Sequence, residues 1–355
     1  MIATVNSQHL AQALRTVCKV VPSKPPIQIL SYVLIEASNV LRFTATDLEV
    51  SLSCVCPSTI TASGKCVIPA NTFLQMIEQF AEGQVTLMAD EKGAHMQYGA
   101  FATRLQVQHP SEFPVLTPPE GQAVALPGLE FCRLIAATRY AVADRGRKYI
   151  LEATLLKLAG TSMGMVATDA ARLSIATATR EEGPDLSVMI PRKTLDVLPS
   201  FSTGKIELLV GANHLFFSSG GMILTSRMID GKFPAYERII PRNNDQILTI
   251  ERAKLSAALK RVGIASEKNG AIYCTVGSDS LRVSTRSAEV GEADERLAAS
   301  YGGVPLTICI NWRYLLDFLE VAQHDTVTLA MKDVKSPVLV SDGPSFINVI
   351  MTMKG

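Results

Sequence analysis

Three segments of the chain share one hydrophobic pattern: a short apolar run, a polar turn, then apolar residues at i, i+3, i+4 and i+7. This order predicts a strand that leads into an amphipathic helix. In the first segment the helical stripe is Leu10, Leu14 and Val17. The segments are ATVNSQHLAQALRTVCKVV from Ala3, VALPGLEFCRLIAATRYAV from Val124 and LTIERAKLSAALKRVGIAS from Leu248.

A second set of three segments follows the first and predicts the same order of elements. Alternating segments such as KIELLVGANHLFFSSGGMILTSRM come after the helices, and they predict antiparallel meanders. Each copy then has two strand–helix–strands halves. We therefore expect an α+β fold of three tandem domains at residues 1–121, 122–244 and 245–355. The segments of the second set are CVIPANTFLQMIEQF, VMIPRKTLDVLPSF and TICINWRYLLDFLEV.

Two Phe-Pro pairs punctuate this repeat. Phe113-Pro114 and Phe233-Pro234 follow the last predicted strand of the first and second copies. Since proline ends a strand ladder, each pair is predicted to begin a linker into the next domain. The third copy lacks the pair and ends in SFINVIMTMKG, so its tail is expected where the other copies connect onward.

Composition is that of an ordinary packed protein, with 355 residues, 47% hydrophobic residues, 19% charged residues and a net charge of +1. The sequence contains neither an apolar run long enough for a membrane helix nor a signal peptide, so we expect a cytoplasmic protein without membrane contact. The seven cysteines form no CxxC pair. Cys54 and Cys56 would share one face of a strand, where burial is a better explanation than metal binding.

Basic residues recur on the predicted helices, including Arg15, Lys19, Arg139, Lys254 and Lys260. For a single helix, a solvated polar face explains such charges. In tandem copies equivalent faces point to one side, which favours a common basic surface. Such a surface would contact phosphates without reading bases and would bind less tightly as salt rises.

Four motifs carry a resemblance to the bacterial DNA polymerase III beta subunit, the sliding clamp, and the resemblance extends over essentially the whole chain. It implies three clamp-type domains per chain and a homodimeric ring with sheets outside and helices lining the hole. Such a ring encircles double-stranded DNA without sequence specificity and tethers the replicative polymerase for processive synthesis. The motifs are ATDAARLS from Ala167, VMIPRK from Val188, DGKFPAYERIIP from Asp230 and the VIMTM ending.

The resemblance also implies residues that face the DNA. For each of them a solvated surface charge is the alternative explanation. The DNA-facing residues would be Lys24, Arg133, Arg147, Lys148, Tyr149, Arg192 and Lys193.

A groove between the second and third domains is the second site implied by the resemblance. It would take short linear peptides from the DNA polymerase III alpha subunit, the clamp loader and other clamp-motif proteins. Methionine suits a groove with several partners because its thioether adapts, although Met351 and Met353 taken alone would be core residues. The groove residues would be Ile150, Thr168, Ala170, Ala171, Arg172, Leu173, Pro234, Arg238, Ile239, Asn311, Tyr314, Val349, Met351 and Met353.

Several groove positions depart from the family pattern. Ala170 and Ala171 occupy the place of the usual Gly-His, and Thr352 occupies that of the proline in a Met-Pro-Met ending. Lys335 and Pro337 replace small or apolar residues near the rim, and Gly355 replaces a large apolar one. The alternative function is therefore a diverged or secondary clamp with altered peptide preference.

The sequence offers no catalytic motif, so we expect a processivity subunit with neither catalytic residues nor a metal or other cofactor. Phosphate-binding and nucleophile motifs are missing, and the five histidines have no ligand spacing. By position in the family, Leu105 and Ile264 would lie at the dimer interface. A monomeric, non-catalytic protein-binding scaffold is the competing interpretation, and the mass in solution separates the two.

Overall fold

The computed structural model describes residues 1–90, 93–118, 121–144, 149–201 and 204–354. Within these ranges the predicted strand–helix–strands order occurs six times, which confirms the six halves. The helices are α1 (Ser7–Cys18), α2 (Ala70–Ile77), α3 (Gly128–Arg139), α4 (Arg192–Val197), α5 (Arg252–Gly263) and α6 (Trp312–Val321).

The strands fall into three groups, one for each copy. The first group is β1 (Ile2–Asn6), β2 (Tyr32–Ala37), β3 (Leu41–Thr46), β4 (Val50–Cys56), β5 (Ser58–Ala62), β6 (Gly64–Pro69), β7 (Gln84–Asp90), β8 (Gly93–Tyr98) and β9 (Phe101–Leu105). The second group is β10 (Val124–Pro127), β11 (Ala153–Ala159), β12 (Ser162–Thr168), β13 (Arg172–Thr179), β14 (Leu186–Pro191), β15 (Lys205–Val210), β16 (His214–Ser219) and β17 (Met222–Arg227). The third group is β18 (Gln246–Glu251), β19 (Ala271–Gly277), β20 (Ser280–Ser287), β21 (Gly291–Ala298), β22 (Ser300–Tyr301), β23 (Leu306–Asn311), β24 (Thr326–Met331), β25 (Val338–Ser341) and β26 (Phe346–Ile350).

The chain forms two compact units, and the central copy contributes to both. The first unit comprises Met1–Cys132 and Lys193–Met228, and the second comprises Arg133–Arg192 and Ile229–Gly355. The predicted domain boundaries, near residues 121 and 244, fall in connections outside the strands and remain a prediction.

Each unit contains two antiparallel sheets. In the first unit their strand orders are β5-β1-β7-β8-β9 and β10-β15-β16-β17-β4-β3-β2-β6. In the second unit they are β14-β11-β12-β13-β26-β25-β24-β18-β22 and β21-β20-β19-β23. The long sheets therefore run from one copy into the next, through the pairs β4–β17 and β13–β26.

Helix α1 illustrates how the sequence sets these elements. The Asn6 side chain accepts a hydrogen bond from the Gln8 amide at 2.9 Å and caps the helix, as asparagine commonly does. The predicted stripe of Leu10, Leu14 and Val17 is fully buried, which confirms it. The apolar face therefore attaches the helix to its sheet.

The Phe-Pro pairs do more than begin a linker. Phe113 is buried against Tyr32, Leu34 and Val67, so the linker folds back onto the sheet of the first copy. Phe233 packs in the same manner in the second unit, against a cluster that includes Leu155. The aromatic residue anchors each linker at the edge of a sheet junction.

The cysteines are buried as predicted for Cys54 and Cys56, which are 4% and 2% exposed. Burial raises the pKa of both thiols to about 12, so they are protonated at neutral pH. Among the described residues, no group of His, Cys, Asp or Glu side chains is placed to share a metal ion. In that same part of the chain, no helix has the length and apolar character to span a bilayer.

Candidate peptide-binding groove

The β12–β13 hairpin turn is held by two side chains, those of Thr168 and Asp169. The Thr168 hydroxyl donates to the Arg172 carbonyl at 2.6 Å and accepts from the Ala170 amide at 3.1 Å. The Asp169 carboxylate accepts from the amides of Ala171 at 2.9 Å and Arg172 at 3.0 Å. These bonds satisfy the backbone of the turn and fix its shape.

Ala170 lies in the left-handed region at φ +75°. A residue with a Cβ atom is strained there by about 1–2 kcal/mol, whereas glycine is not. The alanine at this position therefore costs stability that the Gly expected from the family pattern would not.

The first copy repeats the same turn between β3 and β4. Thr46 and Asp47 make equivalent bonds to the backbone, and Leu48 takes the left-handed position at φ 74°. The turn is therefore a feature of the repeat rather than of the groove alone. The Thr168 hydroxyl, predicted as a groove contact, serves the backbone of its own hairpin.

Arg172 connects the hairpin to α6. Its guanidinium bonds to Asp169 Oδ2 at 3.1 Å, forms an ion pair with Asp317 and donates to the Tyr140 carbonyl. The guanidinium also stacks on the Tyr314 ring at 4.5 Å. With its side chain only 10% exposed, Arg172 positions the hairpin and Tyr314 relative to each other.

A buried polar chain lies beside Arg172. Asn348 Nδ2 donates to the Tyr140 hydroxyl at 2.7 Å, the Tyr140 hydroxyl lies 3.2 Å from Ser174 Oγ, and Ser174 Oγ donates to the Ala137 carbonyl at 2.7 Å. Burial raises the pKa of Tyr140, which keeps its phenol neutral. Ser174 pairs with Asn348 across β13–β26, so this polar chain favours one register of the two strands.

Leu173 and Val349 form the apolar floor of the groove. They are the next cross-strand pair, each 1% exposed, and alternation directs them to the opposite sheet face from Ser174 and Asn348. Half-buried Ile150 packs against the same cluster, as do Phe233, Tyr236 and Ile240. The structure therefore brings together three predicted groove residues, Ile150, Leu173 and Val349.

The loop after Pro234 supplies more exposed groove positions. Pro234 precedes a 3-10 turn, Tyr236–Arg238, and Ile239 follows that turn with 41% of its surface exposed. Arg238 is exposed in the same turn. This loop places an apolar and a cationic side chain next to the cluster that contains Tyr236.

The C-terminal tail is held at three points. The Met351 amide donates to the Ala171 carbonyl at 3.0 Å, and the Met353 amide donates to the Cys309 carbonyl at 2.8 Å. Between them the Thr352 hydroxyl donates to the Lys335 carbonyl at 2.9 Å. The tail therefore contacts the hairpin turn of the second copy, and Met351 keeps 40% of its surface exposed.

Asn311 has a structural role at the start of α6. Its Oδ1 accepts from the Arg313 amide at 3.0 Å, and its Nδ2 donates to the Asn269 carbonyl at 3.0 Å. These bonds cap the helix that carries Tyr314. As a predicted groove residue, Asn311 would act mainly by placing Tyr314.

Ion pairs neutralise many of the cations predicted to face DNA. Arg192 pairs with Asp144 at 2.7 Å, and Lys193 pairs with Asp47 at 2.8 Å and with Glu49. On the helices, similar pairs are Arg15–Glu78, Lys254–Glu251, Lys260–Glu320 and Arg261–Glu295. The basic surface is therefore weaker than the sequence suggests.

The remaining predicted DNA contacts have different surroundings. Lys24 is exposed, Tyr149 is 58% exposed, and Arg133 Nη2 donates to the Thr177 carbonyl at 2.9 Å. Arg147 and Lys148 lie outside the described residues. All seven positions remain predictions.

The two predicted interface residues differ in exposure. Leu105 ends the edge strand β9 and is 8% exposed, whereas Ile264 follows α5 and is 79% exposed. Only Ile264 therefore presents a large apolar surface, and both positions remain predictions.

Sequence reasoning missed Tyr140, Asp317, Ser174 and Asn348. Asn348 left a detectable signal because FINVIM places an amide at a position where strand alternation expects an apolar residue. Tyr140 and Asp317 left none, since both lie on ordinary helical segments and become neighbours of Arg172 only in the folded chain.

Comparisons with known proteins agree along the whole chain. Family models for the N-terminal, central and C-terminal domains of the DNA polymerase III beta subunit match residues 1–117, 125–235 and 237–354. Proteins named beta sliding clamp are 31% identical in Caulobacter vibrioides and 30% in Haemophilus influenzae, covering 100% and 99% of both chains. The solved DNA polymerase III subunit beta of Pseudomonas aeruginosa is 28% identical, with a TM-score of 0.94 and full coverage of both chains.

Replacing Ala170 by glycine should stabilise the protein. Relief of the left-handed strain exceeds the added entropy of the unfolded chain, so Ala170→Gly should raise the free energy of unfolding by about 0.5–1 kcal/mol. Urea denaturation followed by circular dichroism measures the difference. Ala171→Gly is the matched control, since Ala171 lies outside the left-handed region and should lose about 0.4–1 kcal/mol. Changes of the same sign in both variants would contradict the strain.

Arg172→Lys should destabilise the protein by about 2 kcal/mol or more, because lysine has no planar fork to reach Asp169, Asp317 and the Tyr140 carbonyl together. Thermal unfolding tests this. Arg227→Lys makes the same chemical change at an exposed arginine at the end of β17, and it should have almost no effect. Equal losses in the two variants would argue against the positioning role.

Proposed function

Because the chain belongs to the family of DNA polymerase III beta subunits, the DNA sliding clamps, we propose that two copies close into a ring around duplex DNA. The ring holds the replicative polymerase on its template and performs no chemistry of its own. Its work on the chromosome assigns it to the bacterial cytoplasm.

The pairing of strands supports ring closure. At each junction between copies, the last meander strand of one half pairs antiparallel with that of another half: β4 with β17 and β13 with β26. By the same rule β9 and β21 remain, and both are sheet edges. Pairing of β9 with β21 of a second copy, twice over, gives a closed dimer and covers edges that otherwise invite aggregation.

The ring needs only weak attraction to DNA. Topology retains the duplex, so the lining has to attract phosphates without arresting the ring at any one place. Ion pairs such as Arg192–Asp144 and Lys193–Asp47 reduce the local positive charge and fit this requirement. Exposed Lys24 and Tyr149 are the proposed contacts with less restraint.

The groove is the proposed docking site for partner peptides. The observation that carries this proposal is the apolar floor of Leu173 and Val349 beside a tail that exposes Met351. Apolar peptide side chains would fill the floor while the flexible thioethers adapt to each partner. The partners are the DNA polymerase III alpha subunit, the clamp loader and other proteins with a clamp motif.

A diverged peptide preference is the second candidate function. It is favoured by Ala170, which keeps a strained left-handed conformation, and by Thr352, whose hydroxyl ties the tail to Lys335. These residues change the surface of the groove and leave the sheet pairing intact. The chain would then be a secondary clamp that serves fewer or other partners.

Fluorescence anisotropy of a labelled clamp-motif peptide tests the groove. The intact protein should bind near the micromolar range, about −8 kcal/mol, and a variant lacking Met351 to Gly355 should not bind. Circular dichroism of both proteins controls for folding. If the intact, folded dimer binds no clamp-motif peptide, the groove proposal fails and the ring proposal is unaffected.

The dimer is tested by Ile264→Asp. Closing the ring would bury this exposed side chain, and a carboxylate there should weaken association about 100-fold or more. Analytical ultracentrifugation should then find a monomer where the unmodified chain is a dimer. Val40→Asp changes another exposed apolar residue, in the β2–β3 turn, and should leave the dimer intact. A monomeric unmodified chain would favour the scaffold interpretation.

A further inference from the structure

The loop between β24 and β25 touches the C-terminal tail in the middle of the proposed groove. The Lys335 carbonyl accepts the Thr352 hydroxyl at 2.9 Å, and Thr352 lies between Met351 and Met353. Lys335 is therefore one hydrogen bond from the tail segment that flanks the apolar floor. A lysine occupies a position where the family pattern has a small or apolar residue.

The loop that carries Lys335 has a fixed backbone. The Asp333 carboxylate accepts from the amides of Lys335 and Ser336, both at 2.8 Å, and from the Ser336 hydroxyl at 2.9 Å. These bonds hold the pKa of Asp333 below its usual range. The anchored loop fixes the base of the Lys335 side chain beside the tail.

The exposed charges next to groove residues are mostly positive. Lys335, Lys354 and Arg238 are all exposed, and none of them makes an ion pair with another described residue. Two nearby carboxylates are already engaged: Asp333 with its own loop, and Glu237 with the Tyr236 hydroxyl, whose pKa burial and Glu237 together raise. The rim therefore has cations to spare and few free acceptors.

We propose that this groove selects peptides that carry a carboxylate side chain next to their apolar anchors, and that Lys335 is the main residue that reads it. The inference rests on the proposed function of the groove and names the class of partner segment. The apolar floor supplies affinity that every clamp-motif peptide shares. Opposite charges at the rim then separate acidic from neutral and basic peptides.

The effect should be moderate and sensitive to salt. An ion pair at a solvent-exposed rim is weak because water and dissolved ions screen it. We expect an aspartate in the peptide to tighten binding about five- to tenfold at low ionic strength. Most of that preference should disappear near 0.5 M salt, where the screening length falls to a few ångströms.

Labelled peptides that share the same apolar anchors test the proposal by fluorescence anisotropy. The set places a single aspartate at each non-anchor position in turn, and asparagine and lysine at the same position serve as comparisons. At one position or more, the intact protein should bind the aspartate peptide best and the lysine peptide worst. Lys335→Val should remove this order and still bind the asparagine peptide.

Charge reversal gives the sharper measurement. Lys335→Glu should prefer the lysine peptide, an inverted order that general damage to the groove would not produce. Lys157→Glu is the matched control, since Lys157 is an exposed lysine on β11, and it should keep the original order.

The outcomes separate this proposal from the function of the groove. Equal binding of all peptides by the intact protein would overturn the charge selection and leave the groove standing. An unchanged order in Lys335→Glu would overturn the role of Lys335. Binding of no peptide at all would contradict the proposed groove itself.

Discussion

The groove depends on the antiparallel pairing of β13 with β26, which joins the second copy to the third. The pair Leu173 and Val349 makes the floor, and the adjacent pair Ser174 and Asn348 holds the register on the other face. A slip of one residue would turn the floor away and bring the amide of Asn348 to the apolar cluster. The tail follows directly from β26, so its three anchors depend on the same register.

The equivalent junction in the first unit has the same backbone and different chemistry. There Leu52 pairs with Leu224, and both are fully buried. The first junction is thus apolar where the second has a serine, an asparagine and Tyr140. An apolar pair is cheaper to bury, whereas a satisfied polar chain defines its geometry more narrowly. The polar version occurs at the junction where a free tail has to be positioned.

Charge behaves differently on the helices and at the groove rim. Helical cations such as Lys260 and Arg261 have carboxylate partners from other elements, so little free charge remains on them. At the rim, Asp333 is consumed by its own loop and the neighbouring Lys335 keeps its charge. Counting basic residues along the sequence cannot distinguish these cases, because the acidic partner of Arg261, Glu295, is distant in the chain.

The sequence alone determined the repeat, since the apolar stripe of Leu10 and Leu14 and the strand alternation are local patterns that survive in the fold. It also placed the hairpin turn, because a Thr-Asp pair bonds to its own backbone. Only the tertiary structure decided that Arg172 meets Asp317 and that Thr352 reaches the carbonyl of Lys335. Those contacts join residues far apart in the chain, and they arise from the long-range pairing of strands, which no local pattern encodes.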